Sequence, residues 1–263
     1  MKLKIYQIDA FTDKVFTGNY AAVILLEEWL STKLMQSIAT ENNLSETAFI
    51  KNTINNSYEI RWFSPLNEID FCGHATLASA FVLFEENDTL NELEFIAKAV
   101  GSLKVTKEKD NYIKMVFPNR KPKKISSIPE ELLKGLSISP SEILLSQQAY
   151  FAIYNNEDDV HHVEPNLEEL KKLAPYDVVV TAKSNEYDFI SRYFWPANGG
   201  EEDPVTGSIH TGLAPYWAEK LNKNRLTAFQ ASKRGGLLLC TVTQTNVVIL
   251  GKAVKYLEGY IKI

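Results

Sequence analysis

The chain opens on an alternation of apolar and polar residues, Met1-Lys2-Leu3-Lys4-Ile5-Tyr6-Gln7-Ile8-Asp9, the pattern of a strand with one buried face. A second extended run, Ala21-Ala22-Val23-Ile24-Leu25-Leu26, follows the turn-forming pair Gly18-Asn19, which predicts an opening hairpin. The period then changes. Leu34, Met35, Ile38 and Ala39 recur at helical spacing behind Ser31, a residue suited to cap the helix start, and the helix is expected to end near Asn42-Asn43. Strands are predicted around Glu46–Ile50 and Tyr58–Phe63, then a helix from about Ala75 to Phe84, then strands over Leu93–Ile96 and Ile113–Phe117.

The segment Pro118–Ser127, with two prolines and Lys121, Lys123 and Lys124, has the composition of a linker. Beyond it the order recurs: an apolar stretch Ala149–Tyr154, a short helix Leu167–Leu173, strands over Asp177–Ala182 and Asp188–Trp195, and a helix from about Ser208 to Leu221. Strands near Leu226–Gln230, Leu237–Thr243, Asn246–Leu250 and Ala253–Ile263 close the chain. The recurrence predicts a structural duplication in an α+β fold: one half over 1–117, a linker over 118–127 and a second half over 128–263, whose last strand can return to the first. The two long helices are apolar on nearly every side, as expected of a helix with a sheet wrapped around it, and Pro215 is expected to bend the second.

The length of 263 residues suits one long barrel-type domain or two halves, of which two halves is preferred, and 45% hydrophobic with 23% charged residues is enough to build a core in either arrangement. Lys and Arg number 28 against 33 Asp and Glu, a net charge of −5 that leaves no basic footprint for a phosphate backbone and argues against nucleic acid. The start lacks the apolar stretch of a signal peptide, and no run approaches the roughly 18 apolar residues of a membrane span. The expectation is a soluble, cytoplasmic protein with no membrane partner. Cys72 and Cys240 are too few for a disulfide framework and lack zinc-site spacing, so both are expected as reduced thiols.

Candidate chemistry centres on Glu46, an acid interrupting the strand-like run Asn43-Leu44-Ser45-Glu46-Thr47-Ala48-Phe49. A buried carboxylate is expected to have its pKa lifted toward the range useful for moving protons at neutral pH; the bland alternative is a solvated edge acid or a partner of Arg61. Two turns of small residues precede the long helices: Asp70-Phe71-Cys72-Gly73-His74-Ala75-Thr76 and Glu201-Glu202-Asp203-Pro204-Val205-Thr206-Gly207-Ser208. Free N–H groups and the positive end of the helix dipole at such starts suit a carboxylate or a developing enolate. His161-His162 read as surface residues. Gly235-Gly236 lacks the spacing of a phosphate loop and suits a tight hairpin, with Arg234 beside it available to a carboxylate or to structure.

These pieces carry a resemblance. Asp9-Ala10-Phe11-Thr12 with Gly18-Asn19, Asn43-Leu44-Ser45-Glu46-Thr47, Cys72-Gly73-His74-Ala75-Thr76, Glu202-Asp203-Pro204-Val205-Thr206-Gly207-Ser208 and Gln230-Ala231-Ser232-Lys233-Arg234-Gly235-Gly236 resemble, in order and over almost the whole chain, the PhzF-like family of phenazine biosynthesis. The resemblance implies a diaminopimelate epimerase-like fold, with each half a curled, mostly antiparallel sheet around a central helix, an active site between the halves, and a homodimer. It implies proton transfer between carbons of a dihydro-hydroxyanthranilate-like substrate by the acid at Glu46, without cofactor or metal. It also implies active-site positions at His74, Asp203 and Ser208. Gly73 and Gly207 join Ser208 as expected substrate-binding residues. Tyr20 departs from the family's usual proline after Gly-Asn.

The expected function is a cofactor-independent isomerase acting on a small carboxylate. Glu46 is the base, His74 polarises or shuttles a proton, and Asp203 orients His74 or a polar group of the substrate. The alternative is a binding protein that retains the cleft without turnover. A two-cysteine racemase is disfavoured, because Asp203 and Pro204 stand at the second turn and Cys240 lies far downstream.

Overall fold

The computed structural model describes residues 1–53 and 56–263, and the chain forms two compact units. Met1–Val116 with Leu250–Ile263 make the first, and Phe117–Ile249 make the second. This division differs from the expected one at the stretch between the halves, while the closing strand returns to the first unit. The proline- and lysine-rich stretch is no separate linker: Lys123–Lys124 pairs with Leu144–Leu145, and the Arg120 N–H donates to Thr211 O, both inside the second unit. The closing strand Ala253–Lys262 belongs to the first unit, antiparallel to Lys2–Ala10.

Within the first unit Lys2–Ala10 also pairs antiparallel with Asn19–Leu26, the opening hairpin. From there the sheet runs Asn19–Leu26 parallel to Glu46–Asn52, antiparallel to Ser57–Phe63, parallel to Glu92–Ala97 and antiparallel to Gly101–Lys107. The helix Thr32–Asn42 is capped by Ser31 and stopped by Asn43 in the left-handed region. It lays Met35, Ile38 and Ala39 on Ile24, Phe49 and Phe63. Because side chains alternate along a strand, Phe49 and Thr47 face this helix, whereas Glu46 and Ala48 face the opposite side. That opposite side is covered by the central helix Gly73–Glu86, buried throughout Gly73–Ala80. Each fully buried Leu or Val on it is worth roughly 1.5–3 kcal/mol of transfer free energy.

The second unit repeats the pattern. Glu142–Leu145 is antiparallel to Ala149–Ile153, which runs parallel to Asp177–Lys183; that strand is antiparallel to Phe189–Phe194, which is parallel to Arg225–Gln230 and leads antiparallel to Gly236–Val242. The central helix is His210–Leu221, with Pro215 inside it. The sequence of parallel and antiparallel neighbours is the same in both units, which is the expected duplication. It also makes Asp177, the first residue of its strand, the counterpart of Glu46.

Several elements were outside the sequence expectations: the strands Gly101–Lys107 and Glu142–Leu145 and the short helices Glu130–Lys134 and Glu157–His162. The first central helix starts at Gly73, ahead of the expected Ala75. The second starts later than expected, because Gly207 and Ser208 form a tight turn in which the His210 and Thr211 N–H groups donate to Gly207 O and Ser208 O. No helix among the described residues is long and apolar enough to cross a membrane.

Candidate active site

Glu46 begins an interior strand and is only 7% exposed, so it is no solvated edge acid. Arg61 is not its partner either, since that guanidinium clasps Glu68 at 2.7 Å. Glu46 Oε2 instead lies 2.8 Å from His74 Nε2. His74 comes from the first turn of the central helix and is 4% exposed. The buried Glu46 Oε2 receives no well-aligned hydrogen bond, so the contact is an off-axis ion pair that leaves a lone pair of the carboxylate uncommitted.

Two further groups hold His74. Asn19 Nδ2 lies 3.1 Å from His74 Nδ1, and Cys72 Sγ lies 3.4 Å from the same atom. Asn19 reaches this place through Gly18. At Gly18 φ is +67°, and a Cβ there would fall 2.2 Å from Ala10 O, so only glycine fits the turn. The amide of Asn19 can present its N–H to a neutral ring or its oxygen to an imidazolium, so it serves both protonation states.

Burial disfavours the imidazolium of His74, but negative charge at Cys72 and Glu46 outweighs it and raises the imidazole pKa well above the ordinary value. The Cys72 thiol is itself pushed up to about 11 by burial and by Glu46. At neutral pH it is therefore uncharged, and Glu46 supplies the attraction. Donor atoms of Glu46, Cys72 and His74 lie within 4.8 Å of one another, the only such group of potential metal ligands among the described residues.

The other expected residues gather in the second unit. Asp203 Oδ2 accepts from the Thr206 hydroxyl, and Gln230 clamps the turn: its Nε2 donates to Asp203 O and its Oε1 accepts from the Thr206 N–H, both at 2.8 Å. Gly207 and Ser208 follow, with Gly207 buried and Ser208 half-buried just ahead of the central helix. Ser208 Oγ accepts from Gln148 Nε2 at 2.9 Å. Thus Glu46, Gly73 and His74 form one cluster, and Asp203, Gly207 and Ser208 form another. Asn19, Gln148, Thr206 and Gln230 were not singled out from sequence. Asn19, Thr206 and Gln230 did stand inside the motif segments, which was the available signal.

Of the remaining candidates, Cys240 is buried in the strand Gly236–Val242, its thiol pushed up to about 12 by burial. Gly235, at φ +66°, turns the hairpin between Arg225–Gln230 and Gly236–Val242, as its composition predicts. His161 and His162 end a short exposed helix, where the His162 ring contacts Asp158 O.

A comparison with solved structures finds the crystal structure of a PhzF-family phenazine biosynthesis protein from Enterococcus faecalis at a TM-score of 0.94 and 42% identity, covering 100% of both chains. A hydroxyproline epimerase from Agrobacterium vitis shares the fold at a TM-score of 0.62 and 9% identity, over 99% of this chain and 92% of that one. Among curated proteins, an uncharacterized isomerase of Pseudomonas aeruginosa is 45% identical over 259 residues, 98% of each chain. The family described as phenazine biosynthesis-like protein, PhzC-PhzF, matches residues 8–259, and it is to this family that the chain belongs.

Proposed function

We propose that this protein is a cofactor-independent isomerase that moves a proton between two carbons of a small, carboxylate-bearing substrate. The observation that carries the reading is the buried Glu46 carboxylate set 2.8 Å from His74, with one oxygen lacking an aligned donor. Such a carboxylate, beside a basic ring and with an oxygen lacking an aligned donor, keeps a lone pair for a C–H proton. Glu46 takes the proton from an activated carbon, the electron pair delocalises toward the conjugated group, and the same carboxyl returns the proton to a second carbon. No atom is gained or lost. The positive charge on His74 and the N–H groups at Gly73 and Gly207 favour the anion that forms between the two transfers. In this reading Ser208 binds the substrate carboxylate and Asp203 an amine or hydroxyl. The isomerase names of the bacterial relatives support the same reaction class.

Solvent exchange tests it. Cyclic and amino-acid-like carboxylates incubated with the protein in D2O are read by NMR for deuterium at carbon. Glu46→Gln is expected to cut incorporation by about 10²–10⁴-fold while binding persists. Turnover unchanged in that variant removes Glu46 as the base. Binding without exchange in the unaltered protein favours a binding protein that lacks turnover.

A further inference from the structure

Asp177, the counterpart of Glu46 in the second unit, is 8% exposed and also faces its central helix side, but no histidine among the described residues hydrogen-bonds to it. The Tyr193 hydroxyl donates to Asp177 Oδ2 at 2.6 Å, and Asn198 Nδ2 donates to Asp177 Oδ1 at 2.8 Å. A phenol has one proton, so with that proton given to Asp177 its oxygen can only accept along its other direction. Gln148 Nε2 lies there, 2.9 Å away, and the amide must therefore turn its NH2 group, not its oxygen, toward Tyr193. The same NH2 group reaches Ser208 Oγ at 2.9 Å. Ser208 thus accepts from Gln148, and its own proton, for which no acceptor stands among the described residues, is left pointing elsewhere.

We propose that Gln148 is a positioning residue which, locked by Tyr193 and Asp177, orients the Ser208 hydroxyl as a hydrogen-bond donor to an anionic group of the substrate. The repeat has thereby converted one of its two equivalent acids from a proton carrier into the anchor of a relay. Each link has a single direction, and the two arms diverge at Gln148: toward Tyr193 and Asp177, which fixes the face the amide shows, and toward Ser208, where the accepted N–H makes the hydroxyl a better donor to the ligand. The inference rests on the reading that Ser208 meets a substrate carboxylate.

The test compares two ligands of matched shape, anthranilate and its neutral amide 2-aminobenzamide, by calorimetry at pH 8. Burial lifts the Asp177 carboxyl to about 6, so at that pH it is ionised. The proteins are the unaltered chain, Ser208→Ala, Gln148→Leu and Gln148→Glu. The last keeps the side-chain shape but replaces a donor by an acceptor, which draws the Ser208 proton back toward position 148. Expected is at least a tenfold loss of anthranilate affinity in Gln148→Glu and Gln148→Leu, with 2-aminobenzamide changed less than twofold and thermal melting retained. Equal losses for both ligands would mark a merely structural role and overturn the proposal, as would unchanged anthranilate binding in both Gln148 variants while Ser208→Ala weakens it. If the unaltered protein does not bind anthranilate, or Ser208→Ala leaves its affinity untouched, the underlying carboxylate reading fails and the inference with it.

Discussion

His74 Nε2 lies 2.8 Å from Glu46 Oε2, with both side chains almost wholly buried, so the charge on the imidazole depends on the carboxylate beside it. Replacing Glu46 by Gln removes the attraction and leaves burial, which opposes the imidazolium. The His74 pKa in Glu46→Gln is expected to fall from well above 6.5 to below it, leaving the ring neutral at pH 7. Histidine ring NMR across pH 5–9 reads this directly; a ring that stays charged at pH 7 in the variant would refute the assignment of Glu46 as its partner.

Cys72 touches the same imidazole yet stays a thiol at neutral pH, because burial holds its pKa at about 11. Cys72→Ala is expected to keep proton exchange within about threefold and to cost on the order of 1 kcal/mol in packing. Loss of all exchange in a folded Cys72→Ala protein would favour cysteine-based proton transfer.

The turn at Gly18 tolerates no side chain, since φ is +67° and an added Cβ would meet Ala10 O at 2.2 Å. Gly18→Ala is expected to destabilise the first unit by about 1–3 kcal/mol and, by shifting Asn19, to disturb the His74 ring resonances. Denaturant unfolding that matches the unaltered protein would contradict this.

In the second unit His210 is fully buried, Nδ1 lying 2.9 Å from Thr206 O, and burial lowers its pKa to about 4. Between about pH 6.5 and that value the unfolded chain binds a proton that the folded chain refuses, so stability falls as pH falls. The loss over this window is on the order of 3 kcal/mol. Unfolding curves at pH 7 and pH 4.5 should show it, and His210→Gln should flatten the dependence; an equally steep acid limb in that variant would assign it to other groups.

Much of this was legible in the residues. The helical spacing of Leu34, Met35, Ile38 and Ala39, the acid at Glu46 and the small-residue turns at Gly73 and Gly207 are local signals, and local signals survive in sequence. The strand Gly101–Lys107 was missed because Leu103 and Val105 are its only large apolar residues and Val105 alone is buried. The relay through Gln148, Asp177, Tyr193 and Ser208 joins four segments scattered over some 60 residues, and only the sheet brings them together. Asn19 stood in a motif, but its contact with His74 spans 55 positions and depends on the parallel pairing of Asn19–Leu26 with Glu46–Asn52.

The antiparallel seam between Lys2–Ala10 and Ala253–Lys262 has a consequence for biosynthesis. During translation the unit that carries Glu46 lacks its closing strand until the ribosome has produced the whole of the other unit. The second unit can complete its core first, and clipping the final dozen residues would strip a strand from the sheet that holds Glu46, far away in sequence.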